Sequence, residues 1–132
     1  TIIYSGFRWH VRGYCHVRND FRDFILSRIT EPKLSKDDYV DSSSDRVWNE
    51  KITLTIEANR QLSAAQRALI ERDFGMEDGE LRITVRKALV HYTLQRLQAG
   101  ITDKDESETL RFPIMISHQC RCDLKNVFFG ED

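Results

Sequence analysis

The sequence lacks the signatures of several protein classes. It contains no Gly-rich phosphate loop, no acidic cluster spaced for a metal and no Gly-x-Ser-x-Gly elbow, so an enzyme with catalytic residues has little support. It also lacks an apolar run long enough to span a bilayer. With 132 residues, 40% hydrophobic and 31% charged, the composition predicts a soluble globular chain of one domain or two small ones, with no cofactor and no membrane partner.

Cysteine is scarce and odd in number. The three cysteines cannot all pair within one chain, and no signal-like segment is present, which favours the reducing cytoplasm. The spacing His118-x-Cys120-x-Cys122 invites a metal interpretation, but alternate positions on a predicted strand and the lack of a second cysteine pair favour an ordinary strand without metal. Cys15 and His16 are adjacent rather than facing, which disfavours a nucleophile and its base.

Positive charge is not in excess overall, but it is distributed unevenly. The net charge of -1 argues against bulk electrostatic binding to nucleic acid. Residues 1–30 nevertheless carry two aspartates, Asp20 and Asp23, against five arginines: Arg8, Arg12, Arg18, Arg22 and Arg28. Such a local excess fits recognition of one anionic ligand better than a nonspecific coat on DNA.

These arginines lie on two runs with the alternation of β-strands. The first run, residues 8–15, places on one face Arg8, His10, Arg12 and Tyr14. The second run, residues 21–29, places on one face Arg22, Phe24, Leu26 and Arg28. Asn19 and Asp20 suit the turn between them. If the loop centres on Arg18, Tyr14 faces Arg22 and Arg8 faces Arg28, whereas a one-residue slip in register would separate these pairs onto opposite faces.

Two segments of this hairpin, GFRWHV at residues 6–11 and RDFILSRI at residues 22–29, resemble the WYL domain of bacterial transcriptional regulators. His10 and Val11 replace the Tyr and Leu of the family's name. This variant of the motif is similar to the one in WYL regulators found beside phage-defence operons. The resemblance implies that residues 1–34 are the C-terminal part of an SH3/Sm-like sensing barrel. It also implies a C-terminal fragment of a longer repressor, which would reach operator DNA only through an N-terminal helix-turn-helix missing from this chain.

The rest of the chain is predicted to form a polar linker followed by a second domain. Residues 35–46 are predicted as the linker and residues 47–132 as strand, helix, strand, helix, strand. The predicted strands are residues 51–56, 80–86 and 114–122. The first predicted helix begins at a Ser63–Gln66 capping box, and the second covers residues 87–99 and is capped by Gly100. Residues 103–109 are predicted as a charged loop. The βαβ-type alternation predicts a small ferredoxin-like α/β sandwich and an α+β fold class overall. The WYL resemblance implies that this extension dimerises.

The predicted effector site comprises His10, Arg12, Tyr14, Arg22 and Arg28. Arginine forks bind phosphate in a bidentate manner, and Tyr14 or His10 can stack on a base. Arg22 and Arg28 would be roughly 20 Å apart on an extended strand, too far for a mononucleotide to contact both. We therefore expect an oligonucleotide or cyclic oligonucleotide, in line with the nucleotide or single-stranded nucleic-acid effectors that the resemblance implies.

A second hypothesis is a structural dimerisation module without a small effector. In it the arginines are solvated or paired with Asp20, Asp23 and Glu31. A third possibility is that the open edge of an incomplete barrel pairs with a neighbouring chain and swaps strands.

Overall fold

Two small antiparallel sheets organise the chain in a computed structural model that describes residues 1–129. The first contains β1 (Ile2–Tyr4), β2 (Trp9–Cys15) and β3 (Asp20–Ile25), in the order β1-β2-β3. The second contains β4 (Lys51–Ala58), β5 (Leu81–Arg86) and β6 (Ile114–Ile116), in the order β5-β4-β6. These sheets and the helices around them confirm the predicted α+β class. The last three residues of the predicted 47–132 domain lie outside the described part.

Short helices connect and cover the sheets. The α-helices are α1 (Arg46–Asn49), α2 (Ala64–Asp73), α3 (Val90–Leu97), α4 (Asp103–Ser107), α5 (His118–Asp123) and α6 (Lys125–Phe129). Three 3-10 turns lie at Leu26–Arg28, Ser42–Ser44 and Lys87–Leu89. Between residues 1 and 129, every helix is too short or too polar to cross a membrane.

The hydrophobic core lies on one face of the second sheet. Leu54 and Ile56 of β4 are fully buried, and their register partners on β5 are Ile83 and Leu81. Val90 and Leu94 of α3 and Ile114 and Ile116 of β6 belong to the same buried cluster. Burial of each such side chain stabilises the folded state by about 1.5–3 kcal/mol. The alternation predicted for residues 51–56 and 80–86 therefore identifies the core face correctly.

The sheet topology is simpler than the ferredoxin-like arrangement. Within residues 1–129 the second sheet has three strands, whereas a ferredoxin-like sheet has four. β4 and β5 are antiparallel neighbours, so α2 connects adjacent antiparallel strands and is not a crossover between parallel ones.

Helix starts follow the capping chemistry in the sequence. The Ser63–Gln66 capping box is present at α2, as predicted. A second box forms at α4, where the Thr102 side chain accepts from the Asp105 backbone N–H and the Asp105 side chain accepts from the Thr102 N–H. The expected charged loop at residues 103–109 is therefore wrong for Asp103–Ser107, because this reciprocal capping starts a helical turn.

The helix predicted at residues 87–99 is shorter than expected. It runs over Val90–Leu97, preceded by the 3-10 turn, and Gln98 takes the left-handed conformation at its end with φ 54°. Gly100 is therefore not the cap. Its backbone instead lies so close to Met115 that a Cβ there would overlap the Met115 sulfur and sit 2.9 Å from the Cβ of Asp105. A glycine is needed here for close approach rather than for a turn.

The strand predicted at residues 114–122 ends at Ile116. Ser117 then caps α5 by accepting a hydrogen bond from the Cys120 N–H, so His118, Cys120 and Cys122 lie on a helix. In the described residues no group of three or more His, Cys, Asp and Glu side chains is placed to hold a metal ion.

Candidate functional site on the hairpin

The hairpin register differs by one residue from the prediction. Tyr14 pairs with Phe21, Gly13 with Arg22 and Arg12 with Asp23. The loop between β2 and β3 has four residues, 16–19, with an Arg18 N–H to Cys15 C=O hydrogen bond and a left-handed Asn19 at φ 50°. The predicted facing of Tyr14 and Arg22 is therefore wrong, and Arg22 lies on the opposite face of the sheet from Arg12 and Tyr14.

The second predicted strand is also shorter than residues 21–29. β3 ends at Ile25, which pairs with His10, and the chain turns into the 3-10 turn Leu26–Arg28. Arg28 is exposed on that turn and outside the ladder, so the predicted facing of Arg8 and Arg28 is not formed. Within residues 1–129, no hydrogen bond or ion pair of the Arg22 or Arg28 side chain is present.

Arg12 is buried between two carboxylates. Its side chain is only 8% exposed. Nε and Nη2 donate to Oδ2 and Oδ1 of Asp45 at 2.6 and 3.0 Å, a bidentate pair, and Nη1 donates to Oδ1 of Asp23 at 3.0 Å. The hydrogen bond to Asp45 raises the pKa of Arg12 despite burial, which opposes it. Burial alone would raise the pKa of Asp45, but hydrogen bonds from Arg12 and from the Trp48 N–H outweigh it and lower that pKa.

Tyr92 of α3 joins the same group from the C-terminal half. Its hydroxyl donates to Oδ2 of Asp23 at 2.8 Å, and burial together with that hydrogen bond raises the pKa of Tyr92 to about 12. His10, 4% exposed, packs its ring 5.0 Å from the Tyr92 ring, and its Nε2 lies 3.3 Å from the Ser5 hydroxyl. We call the following residues the junction cluster: Ser5, His10, Arg12, Asp23, Asp45 and Tyr92.

α1 connects the junction cluster to the second sheet. Asp45 caps α1 by accepting from the Trp48 N–H at 3.1 Å. On the other side, the Arg86 guanidinium lies 4.7 Å over the Trp48 ring and donates to its carbonyl, while Lys87 pairs with Glu50 at 3.0 Å. α1 is therefore fixed to β5 and reaches the hairpin through Asp45.

The other face of the first sheet, which we call the outer face, is apolar and exposed. Trp9 is 53% exposed and Tyr4 54%, with their ring centroids 4.9 Å apart, and Phe24 lies beside them on the face shared with Val11. Arg22 lies beyond this patch, opposite Gly13, towards the loop.

The structure thus divides the five predicted site residues among separate places. His10 and Arg12 meet in the junction cluster, and Tyr14 packs edge-on against Phe21 and His16 near the loop. Arg22 and Arg28 are apart and exposed. The pairing of an arginine with Asp23, named in the alternative interpretation, is formed by Arg12. Sequence reasoning missed Asp45 and Tyr92: an N-cap aspartate before α1 is visible locally, but its partner 33 residues away is not.

Comparisons with known proteins give a family match for each half of the chain. Residues 51–123 match the C-terminal dimerization domain of BrxR transcriptional regulators, and residues 1–34 match the WYL domain. The DNA-binding transcriptional repressor CapW of Escherichia coli strain KTE188 is 39% identical over 107 residues, 81% of this chain and 36% of that protein. CapW of Pseudomonas aeruginosa is 40% identical over 106 residues, 80% of this chain and 36% of that protein. The chain spans about a third of the length of these relatives.

Proposed function

Because the chain belongs to the BrxR family of transcriptional regulators, with a WYL domain followed by the family's C-terminal dimerization domain, we propose that it is the effector-sensing and dimerisation region of a bacterial DNA-binding repressor. The observation that carries this proposal is the match of residues 51–123 to a dimerization domain. In the proposal, residues 1–34 bind the effector, residues 35–46 link the two domains, and residues 47–132 form a homodimer. Operator DNA is bound by a helix-turn-helix outside this chain, in control of a phage-defence operon.

We propose that β1–β3 are part of an SH3/Sm-like barrel. The outer face supports this, because an exposed apolar surface around Trp9, Tyr4 and Phe24 is the kind of surface that further strands cover. Arg22 projects past that patch at the loop end and stays accessible. For the second sheet, the alternation of strands and helices supports a ferredoxin-like arrangement, whereas the antiparallel pairing of β4 with β5 departs from it.

The proposed effector is an anionic nucleotide, cyclic oligonucleotide or short single strand. The side chains of Arg22 and Arg28 support it, because both are exposed and form no ion pair among the described residues, and exposed arginines bind phosphate groups. The bidentate pair with Asp45 supports it as well, because the Arg12 fork already holds an anion through two oxygens. Tyr14, half-buried near the loop, supplies a ring for stacking on a base, whereas the His10 ring is buried against Tyr92.

The test is binding of labelled short single-stranded DNA and of a cyclic dinucleotide to the intact protein at two salt concentrations. Arg22→Ala and Arg28→Ala are expected to weaken binding roughly tenfold each, because each removes a charged hydrogen bond to phosphate. Arg72→Ala, which removes an exposed arginine from α2, is the matched control and should bind like wild type. Equal weakening in all three variants would contradict a site on the hairpin.

One observation favours the alternative, a dimerisation module without an effector. Arg12 is already neutralised by Asp23 and Asp45, as a purely structural ion pair would be. In that case the wild-type protein would form dimers yet bind neither ligand at either salt concentration.

A further inference from the structure

The two carboxylates on Arg12 differ in how firmly they are held. Asp23 is the direct cross-strand partner of Arg12, and its second oxygen accepts from the Tyr92 hydroxyl. Asp45 follows a long exposed segment, since residues 26–44 are all exposed, and it begins a helix of four residues. Of the two, Asp45 is the carboxylate that a small backbone movement can take away from Arg12.

We infer that Asp45 is a built-in competitor for the effector: a phosphate group of the ligand takes the place of the Asp45 carboxylate on the Arg12 fork and releases α1 from the hairpin. The inference rests on the proposed function and names the group that the effector must displace. A phosphate offers two oxygens to Nε and Nη2 in the geometry that the carboxylate now uses.

The charges of the junction cluster explain why a competitor matters. With Asp23 and Asp45 both in place, one guanidinium faces two carboxylates, so a further anion is not attracted. When Asp45 leaves, Arg12 and Asp23 balance, and Nε and Nη2 of Arg12 lose their acceptor. An anion can then be accommodated.

Displacement of Asp45 would also reach the dimerisation region. α1 stays fixed to β5 through the contacts of Trp48 with Arg86 and of Glu50 with Lys87. Losing the Arg12–Asp45 pair therefore removes the ion pair between the hairpin and α1, while the Tyr92–Asp23 hydrogen bond and the His10–Tyr92 ring contact remain between the hairpin and α3. The effector thereby changes how the sensing sheet is held against the second sheet, a shift between two states that the ligand binds with different affinity.

The experiment is calorimetric titration of the intact protein with pyrophosphate as the probe. Asp45→Asn keeps the size and a capping oxygen but removes the charge, and we expect it to bind pyrophosphate at least roughly tenfold more tightly than wild type. Arg12→Gln should abolish the binding. Asp41→Asn is the matched control, because Asp41 caps the 3-10 turn Ser42–Ser44 through the Ser43 N–H in the same way but forms no ion pair with any of residues 1–129.

Two further measurements keep the inference open to refutation. Circular dichroism verifies the fold of Asp45→Asn, and Asp45→Glu, which keeps the charge, should bind as weakly as wild type. Hydrogen exchange of the α1 amides should accelerate when pyrophosphate binds to wild type, whereas the amides of α3 should not change.

Equal pyrophosphate affinity in Asp45→Asn, Asp41→Asn and wild type would overturn the inference that Asp45 competes with the effector for Arg12. If Arg22→Ala and Arg28→Ala still weaken oligonucleotide binding in that case, the proposed sensing function stands and only the role of Asp45 is lost. If wild type and every variant bind neither pyrophosphate nor oligonucleotide, both the inference and the effector proposal fail.

Discussion

At the scale of single residues, Arg12 is a buried cation held between two carboxylates. Its charge is compensated on both sides, so Arg12→Gln leaves Asp23 and Asp45 together with no cation between them. We expect a loss of about 3 kcal/mol in the free energy of unfolding, measured by urea titration. Arg22→Gln, on the same hairpin but exposed, should change it by less than about 0.5 kcal/mol. Similar losses in the two variants would show that the Arg12 ion pairs do not stabilise the fold.

Tyr92 makes the junction sensitive to alkaline pH. Because the folded state raises the pKa of the phenol from 10.0 to about 12, it stabilises the neutral form. This contribution is fully present below about pH 10 and is lost as the pH rises towards about 12. In urea titrations across that range, wild type should lose more stability than Tyr92→Phe. Parallel losses would contradict a special role of Tyr92.

The sequence reveals the chemistry of these residues better than their partners. Alternation placed His10 and Arg12 on one face of β2, and both side chains lie in the junction cluster. The partner aspartate at position 45, however, follows an exposed segment without regular structure, and no local pattern connects it to residue 12. Long-range ion pairs depend on how two elements pack, which period-2 alternation does not encode.

At the scale of elements, the hairpin illustrates what a pattern can and cannot determine. Both strands and the turn residues were predictable, but the register was wrong by one because the loop has four residues. Both faces of β2 carry large side chains, with Trp9 and Val11 on one and His10 and Tyr14 on the other. The pattern therefore did not single out one buried face, and such strands specify their register weakly.

Gly100 offers a test at this scale. Gly100→Ala should destabilise the fold by about 1–3 kcal/mol, since its Cβ would overlap the Met115 sulfur. Gly13→Ala is the matched control, because nothing lies within 4 Å of a Cβ there. Thermal unfolding of both variants measures the difference. An unchanged melting temperature in Gly100→Ala would mean that the Met115 side chain moves aside without cost.

Helix starts were predictable wherever capping chemistry was recognised. Ser63 and Gln66 were identified in advance, whereas the same chemistry at Thr102 and Asp105 was hidden in a charged stretch. Ser117 capped α5 where an alternating pattern had predicted a strand. Capping side chains were thus better indicators of local structure than charge or hydrophobic alternation.

At the scale of the whole molecule, a buried polar cluster connects the two small sheets. The core of the second sheet was predictable from the alternation of β4 and β5, and the WYL domain from the hairpin motifs. The contact between the two halves was not predictable, because it depends on Asp45 and Tyr92, which lie far in the sequence from their partners Arg12 and Asp23. In the proposed function, this junction connects the sensing sheet to the dimerisation region.

The most direct test of the proposed function is sedimentation velocity of the 132-residue chain across micromolar concentrations. The proposal predicts a dimer, with Arg22→Ala sedimenting like wild type because that arginine acts in sensing and not in assembly. A monomer at every concentration would contradict the assignment of residues 47–132 as the dimerisation region, and with it the central claim.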